Sequence, residues 1–197
     1  MTAEEVSRER NPLLEAVGRV TLAGARLDSA LRGLLGSLAP EPTLISYANA
    51  EGTDRLIDLC KLALEIRKVP AEDEAAVKDC LTRARALKDQ RNRVVHSLFA
   101  PEEEGDGFAA MKPLKKSIGL SVSKMTIASM EKTADEIEDL LADLFRAGWN
   151  ARSHVTGMPR MPNPAPGEAP SKVQYGAFGH GPLRFPTNPT AESPRDV

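Results

Sequence analysis

Aromatic residues make up 4% of this 197-residue chain, which has a single tryptophan and two cysteines. So few large rings leave the core to aliphatic side chains, and so few thiols exclude a disulfide-stapled or cysteine-cluster fold. Cys60 and Cys80 lie on apolar stripes of different segments, the pattern of buried free thiols in a reducing compartment. No apolar run approaches the ~20 residues that cross a bilayer. The polar, acidic start Met1-Thr2-Ala3-Glu4-Glu5-Val6 is unlike a signal peptide. A cytoplasmic protein with no membrane partner is therefore expected. A formal charge of −2 supplies no global basic field that would demand nucleic acid. No carboxylate–histidine cluster has ligand spacing, so neither metal nor cofactor is expected.

What is abundant is Ala, Leu, Arg and Glu through the first 150 residues or so, a composition that favours helices. The first helix is expected from Asn11-Pro12, a cap residue followed by a proline suited to the first helical position. Its stripe runs Leu13, Val17, Val20, Leu27, Leu31, Leu34, Leu38, and Pro40 and Pro42 end it. The connection from Tyr47 to Gly52 is long and has room for a short turn. A second helix from Thr53 or Asp54 is predicted to bury Leu56, Leu59, Cys60, Ala63 and Ile66. The third opens at Pro70, carries Glu72, Asp73 and Glu74 in its first turn where the helix dipole favours anions, and ends before Pro101. At ~1.5 Å per residue it would be some 40 Å long.

After the acidic loop 102–107 the period changes. Ile118, Leu120 and Val122 alternate with small residues, which predicts a half-buried strand paired with Phe108–Met111 as a small hairpin. A fourth helix follows from Thr126, with Ile127, Met130, Ile137, Leu140, Leu141 and Leu144 inward, and reaches Trp149. From Thr156 proline and glycine recur with little apolar content. The fold expected is all-α, an up-and-down four-helix bundle with a β-hairpin insertion and a disordered Pro/Gly-rich C-terminal tail. Residues 1–10 form an N-terminal arm, 11–150 the helical domain (hairpin about 108–124), and 151–197 the tail. Tyr175, Phe178 and Phe185 give that tail a few aromatics, but an idle terminus is the simpler reading.

Arg91 occupies a position that should be apolar. Counting in sevens gives Val77, Ala84, Arg91 and Leu98, with Cys80, Leu87 and Val94 as the companion series. A guanidinium keeps its charge, so on a packing face it needs a partner or water. Asn92 follows directly and His96 lies five residues on, rotated by roughly 140° on an ideal helix. Asn92 and His96, four apart, share a face. A symmetric dimer through this edge would bring two copies of each residue together.

An all-helical domain with Arg91, Asn92 and, after three more residues, His96 near the end of a long helix resembles the HEPN family. The resemblance spans about residues 11–150 and rests on the Arg-x4–6-His motif with a polar residue after the arginine. It implies a metal-independent endoribonuclease, a homodimer that builds its cleft from both copies of the motif, and a role as a toxin or antiviral-defence effector with an antitoxin or regulatory partner. It assigns His96 as general base or acid, Arg91 as the clamp on phosphate and transition-state charge, and Asn92 as the orienting residue. Arg93, Lys88, Lys112, Lys115 and Lys116 would hold the RNA backbone.

Each of these residues also has a plainer account. His96 suits a helix C-terminus, where a cation is favoured. Arg91 fits an ion pair with Asp28 or Asp58, and Asp89 with Arg93 is spaced as a surface salt bridge. Basic runs are usually solvated faces. Ser97 lacks an oriented base and an oxyanion site, and His154 and His180 stand alone. A non-catalytic interaction or regulatory module and a nucleotide-binding bundle are the alternatives, the first favoured by Glu102-Glu103-Glu104 beside the proposed site.

Overall fold

The computed structural model describes residues 11–102, 107–114 and 118–162. Within them the chain forms five helices and one three-stranded antiparallel sheet, so the four predicted helices and hairpin understate it.

Helix α1 (Pro12–Leu38) begins where the sequence indicates. The Asn11 side chain accepts hydrogen bonds from the backbone N–H groups of Leu13 (3.0 Å) and Leu14 (3.3 Å), satisfying two donors that have no partner inside the helix. Its C-terminus is closed from a distance: Arg67 donates to the carbonyls of Ser37 (2.8 Å) and Leu38 (2.7 Å). The long connection carries a two-turn helix, α2 (Pro42–Ala48), and Arg32 donates to the carbonyls of Ala48 and Glu51 at its end. Helix α3 (Thr53–Ile66) buries Leu56, Leu59, Cys60 and Ala63 as predicted. Ile66 is 76% exposed instead: in the last turn of the helix Ala63 and Leu64 face the core, and Ile66 ends the helix on its outer side.

Helix α4 (Ala71–Val95) is shorter than expected. It ends at His96, and residues read as its last turn form β1 (Leu98–Pro101), the edge strand beside β2 (Gly107–Pro113), which pairs with β3 (Leu120–Thr126). Register places Leu98 beside Met111 and Met111 beside Val122. Alternation then sends Phe99, Ala110 and Met125 to the side packed on the helices. The predicted half-buried face of β3 is exposed: Leu120 and Val122 are 54% and 62% exposed, as is their neighbour across the sheet, Leu98 of β1, at 69%, and β3 meets the core only near Met125.

Helix α5 (Ile127–Thr156) opens with a reciprocal cap between Thr126 and Ser129 and closes at Gly157, whose φ of 70° is a left-handed stop. It runs two turns past Trp149, and the residues after it, expected to be free, are tied down. The Asn150 side chain hydrogen-bonds both backbone polar groups of Met161, and Arg160 forms a bidentate pair with buried Asp73 (2.7 Å to each oxygen). The remaining tail, 163–197, and the arm, 1–10, lie outside the described residues.

Helix α1 is the centre of the core. It packs most extensively on α5 and also against α3 and α4, and its Leu27, Leu31 and Leu35 meet Leu56, Leu81, Ile137 and Leu140 in one aliphatic cluster. Among the described residues no helix is long and apolar enough to cross a membrane. Burial pushes the Cys60 thiol up to about 12. Burial does the same to Cys80, also to about 12, helped by the Asp143 carboxylate. Both thiols should therefore resist a disulfide-exchange reagent at mildly alkaline pH and react fully in guanidinium. Rapid labelling of the native protein would show that this core is open.

Candidate functional site

Arg91 lies on the inward side of α4, half-buried, where the heptad count places it. What admits it is Gly24, in the middle of α1. A Cβ built on Gly24 would come within 2.7 Å of the Arg91 Nε and 3.2 Å of its Cγ. The guanidinium stem is thus laid across bare α1 backbone, and any larger residue at position 24 would displace it. Gly24 was not among the candidate residues. Its signal was a glycine inside a strong helical stripe, flanked by Ala23 and Ala25, the composition of a close approach.

Among the described residues the charge has no carboxylate against it. Asp28 accepts from the Thr53 hydroxyl (2.5 Å), and Asp58 pairs with Arg85 (2.8 Å), so neither proposed partner reaches Arg91. Its Nη1 donates to Asn92 Oδ1 at 2.9 Å. Its Nε is buried with no hydrogen-bond acceptor, the one such side-chain atom found among the described residues. An unsatisfied buried donor costs about 1–3 kcal/mol.

His96 is the C-cap residue of α4, with φ −112° and ψ 16°. Its backbone N–H donates to the Asn92 carbonyl at 3.3 Å, and its residue surface is exposed. Asn92 therefore links the other two, holding the guanidinium with its side chain and the start of the turn with its carbonyl. Arg91 faces α1 while His96 faces solvent, as the roughly 140° rotation requires.

The predicted RNA-gripping cations divide. Lys88 is engaged by Asp54 (2.8 Å) and Asp89 (2.9 Å), and its side chain is 13% exposed. Hydrogen bonding from Lys88 holds the Asp89 carboxyl below the usual carboxylate range. Asp89 thus pairs with its neighbour rather than with Arg93, contrary to the expectation of an Asp89–Arg93 bridge. Arg93 is exposed and in no ion pair among the described residues. Lys112 lies on β2 opposite Ser121. Lys115, Lys116, Glu103 and Glu104 lie outside the described residues, while Glu102 pairs with Lys124 at 2.6 Å. No three His, Cys, Asp or Glu side chains among the described residues are grouped to hold a metal ion.

Two concavities are present near these elements. One, of about 290 Å³, lies between the end of α4 and the start of α5 and is lined by Arg93 but not by Arg91, Asn92 or His96. The other, about 1290 Å³, is an open groove between α1 and α5 in which Leu22 and Phe145 are exposed. No family model, curated protein or solved structure matches this chain.

Gly24→Ala should destabilise the protein by about 1–3 kcal/mol, since the new methyl overpacks against the Arg91 stem. Combined with Arg91→Ala the penalty should largely vanish, because the clashing atoms are gone. A urea-denaturation double-mutant cycle reads the coupling. Strict additivity would mean that Arg91 does not lie on α1.

Proposed function

We propose that this chain is a HEPN-type, metal-independent endoribonuclease that works as a cytoplasmic homodimer, with a toxin or antiviral-defence role and an antitoxin or regulatory protein as its control. The observation that carries the reading is Arg91: a cation on the packing face of α4, without a carboxylate, its Nη1 held by Asn92, one turn from a solvent-exposed imidazole. A charge kept at this place at a cost in stability is better accounted for by a polyanion than by the fold.

RNA brings its own nucleophile. His96 takes the proton from a 2′-hydroxyl, the 2′-oxygen attacks the adjacent phosphorus, and the P–O5′ bond breaks as the 5′-oxygen takes a proton from water, giving a 2′,3′-cyclic phosphate and a 5′-hydroxyl. Arg91 stabilises charge on the non-bridging oxygens, and Asn92 fixes its fork. The cleft would be shared by two copies, with the His96 of one chain set beside the Arg91 of the other. The outward sheet face next to His96 supports such a contact, since Leu98, Leu120 and Val122 are apolar and exposed there.

A second reading is favoured by the open α1–α5 groove. There Leu22 and Phe145 are exposed between the ion pairs Arg19–Asp135 and Arg26–Glu138, a surface suited to a protein partner. Under it the chain is a non-catalytic interaction module and Arg91 a relic.

Incubation with mixed RNAs in EDTA separates the two. Cleavage should survive the chelator, leave cyclic phosphate ends and disappear in both Arg91→Ala and His96→Ala. Equal fragments from the variants, or none from the wild type on any RNA, would remove the nuclease.

A further inference from the structure

The small cavity between α4, β3 and α5 has a composition that the catalytic motif does not use. Arg93, Lys124 and Lys132 stand around it, with Glu136 as the one carboxylate in its lining among the described residues. Of these cations Lys124 is bonded to Glu102 (2.6 Å), Lys132 is only loosely paired with Glu136 (3.7 Å), and Arg93 is in no ion pair among the described residues. Positive charge there is thus partly uncompensated, and the start of α5 adds the positive end of a thirty-residue helix.

The inner wall is different. Val94 and Met125 supply an apolar surface, buried and half-buried respectively, of the kind on which a flat ring rests; methionine sulfur favours such contacts. At the rim the Thr133 hydroxyl donates to the Ser129 carbonyl (3.0 Å) and lies 3.4 Å from Gln90 Oε1, and the Gln90 amide N–H groups donate to no acceptor among the described residues. Cations outside, an apolar floor and an amide at the edge together match a phosphate, a base and the polar edge of that base. The volume of about 290 Å³ is at the small end of ligand sites, ~300–1,000 Å³, and suits one nucleotide rather than a long segment.

We propose that this cavity is a nucleotide subsite for single-stranded RNA, with Arg93 and Lys132 on the phosphate, Met125 and Val94 beneath the base, and Gln90 reading its edge. The proposal rests on the RNA-directed reading above and deepens it. It places the bound strand along the end of α4 that carries His96, with a fixed nucleotide beside the cut rather than at it. Recognition by stacking and one amide tolerates several bases but demands that the nucleotide be unpaired.

The test uses a fluorescein-labelled, fully 2′-O-methylated oligonucleotide, which binds without being cut, titrated by anisotropy at several salt concentrations. Arg93→Ala/Lys132→Ala should weaken binding roughly tenfold and make the slope of log affinity against log salt shallower by roughly 0.7, the value for one phosphate neutralised on a single strand. Glu136→Gln should tighten binding, and Lys61→Ala, exposed on α3 away from the cavity, should leave it unchanged. In parallel, adenosine 5′-monophosphate should shift the methyl resonances of Met125 and Val94 in the wild type but not in the double variant. An oligonucleotide bound equally well by the double variant, with the same salt slope, overturns the subsite and leaves the nuclease reading intact. A wild type that binds no oligonucleotide but shows the monophosphate shifts keeps the nucleotide site and removes the RNA reading. No shifts and no binding overturn both.

Discussion

One contact organises this molecule: the Arg91 guanidinium lying across the backbone of α1 at Gly24. Helix α1 is the element that α3, α4 and α5 share as a packing partner, so whatever sits on its surface sets how closely the others approach. Along most of that surface the contact is aliphatic, from Val20 to Leu38. At the α4 crossing a glycine removes a methyl and a cation fills the space. The substitution of polar for apolar contact is costly on both sides, since Gly24 loosens a helix interior and Arg91 Nε has no acceptor. Folding alone would be better served by alanine against leucine. The pairing is understandable if the guanidinium has work at the end of α4.

That end of the molecule is built as a rim. Helix α4 stops at His96, the chain turns into the edge strand β1, and β3 leads directly into α5. Ion pairs neutralise charge elsewhere: Arg83 and Arg146 both meet Asp143, Arg85 meets Asp58, and Lys88 is caught between Asp54 and Asp89. Around the rim the compensation is incomplete, and Arg93, His96 and Lys132 face solvent. At the other end of α4 the helix start is used differently, with buried Asp73 holding Arg160 and so fastening the chain after α5. The same helix thus anchors at its acidic beginning and presents cations at its end, as the macrodipole favours anions first and cations last.

Much of this was readable in the sequence, and the failures have physical causes. Asn11-Pro12 marked the start of α1 because capping is local chemistry, and Thr126 marked α5 for the same reason. The inward residues of α5, and those of α3 apart from Ile66, followed from periodicity, as did the burial of both cysteines. Strand β1 was missed because Leu98 continues the seven-residue count as well as it begins a strand, and no glycine marks the stop at His96. The burial of β3 was misjudged because Leu120 and Val122 are apolar yet face outward, a case in which alternation gives the period of a strand but not whether that side meets the core. For the site, Arg91, Asn92 and the exposure of His96 were legible, since each depends on position along one helix. Gly24 opposite Arg91 and the capture of Lys88 by Asp54 are contacts between residues far apart in sequence, which no local pattern encodes.

The central claim is that Arg91 is held on the packing face at a cost and not as a brace. Replacing it with methionine keeps the stem over Gly24, removes the unsatisfied donor and leaves half-exposed Asn92 to water. The unfolding free energy of Arg91→Met, from urea denaturation at matched m-value, is the direct measurement. It should equal or exceed that of the wild type, as when buried ionic groups give way to apolar ones. A loss of more than about 2 kcal/mol, on the scale of breaking a charge-assisted hydrogen bond, would mean that the guanidinium is there to hold the helices together.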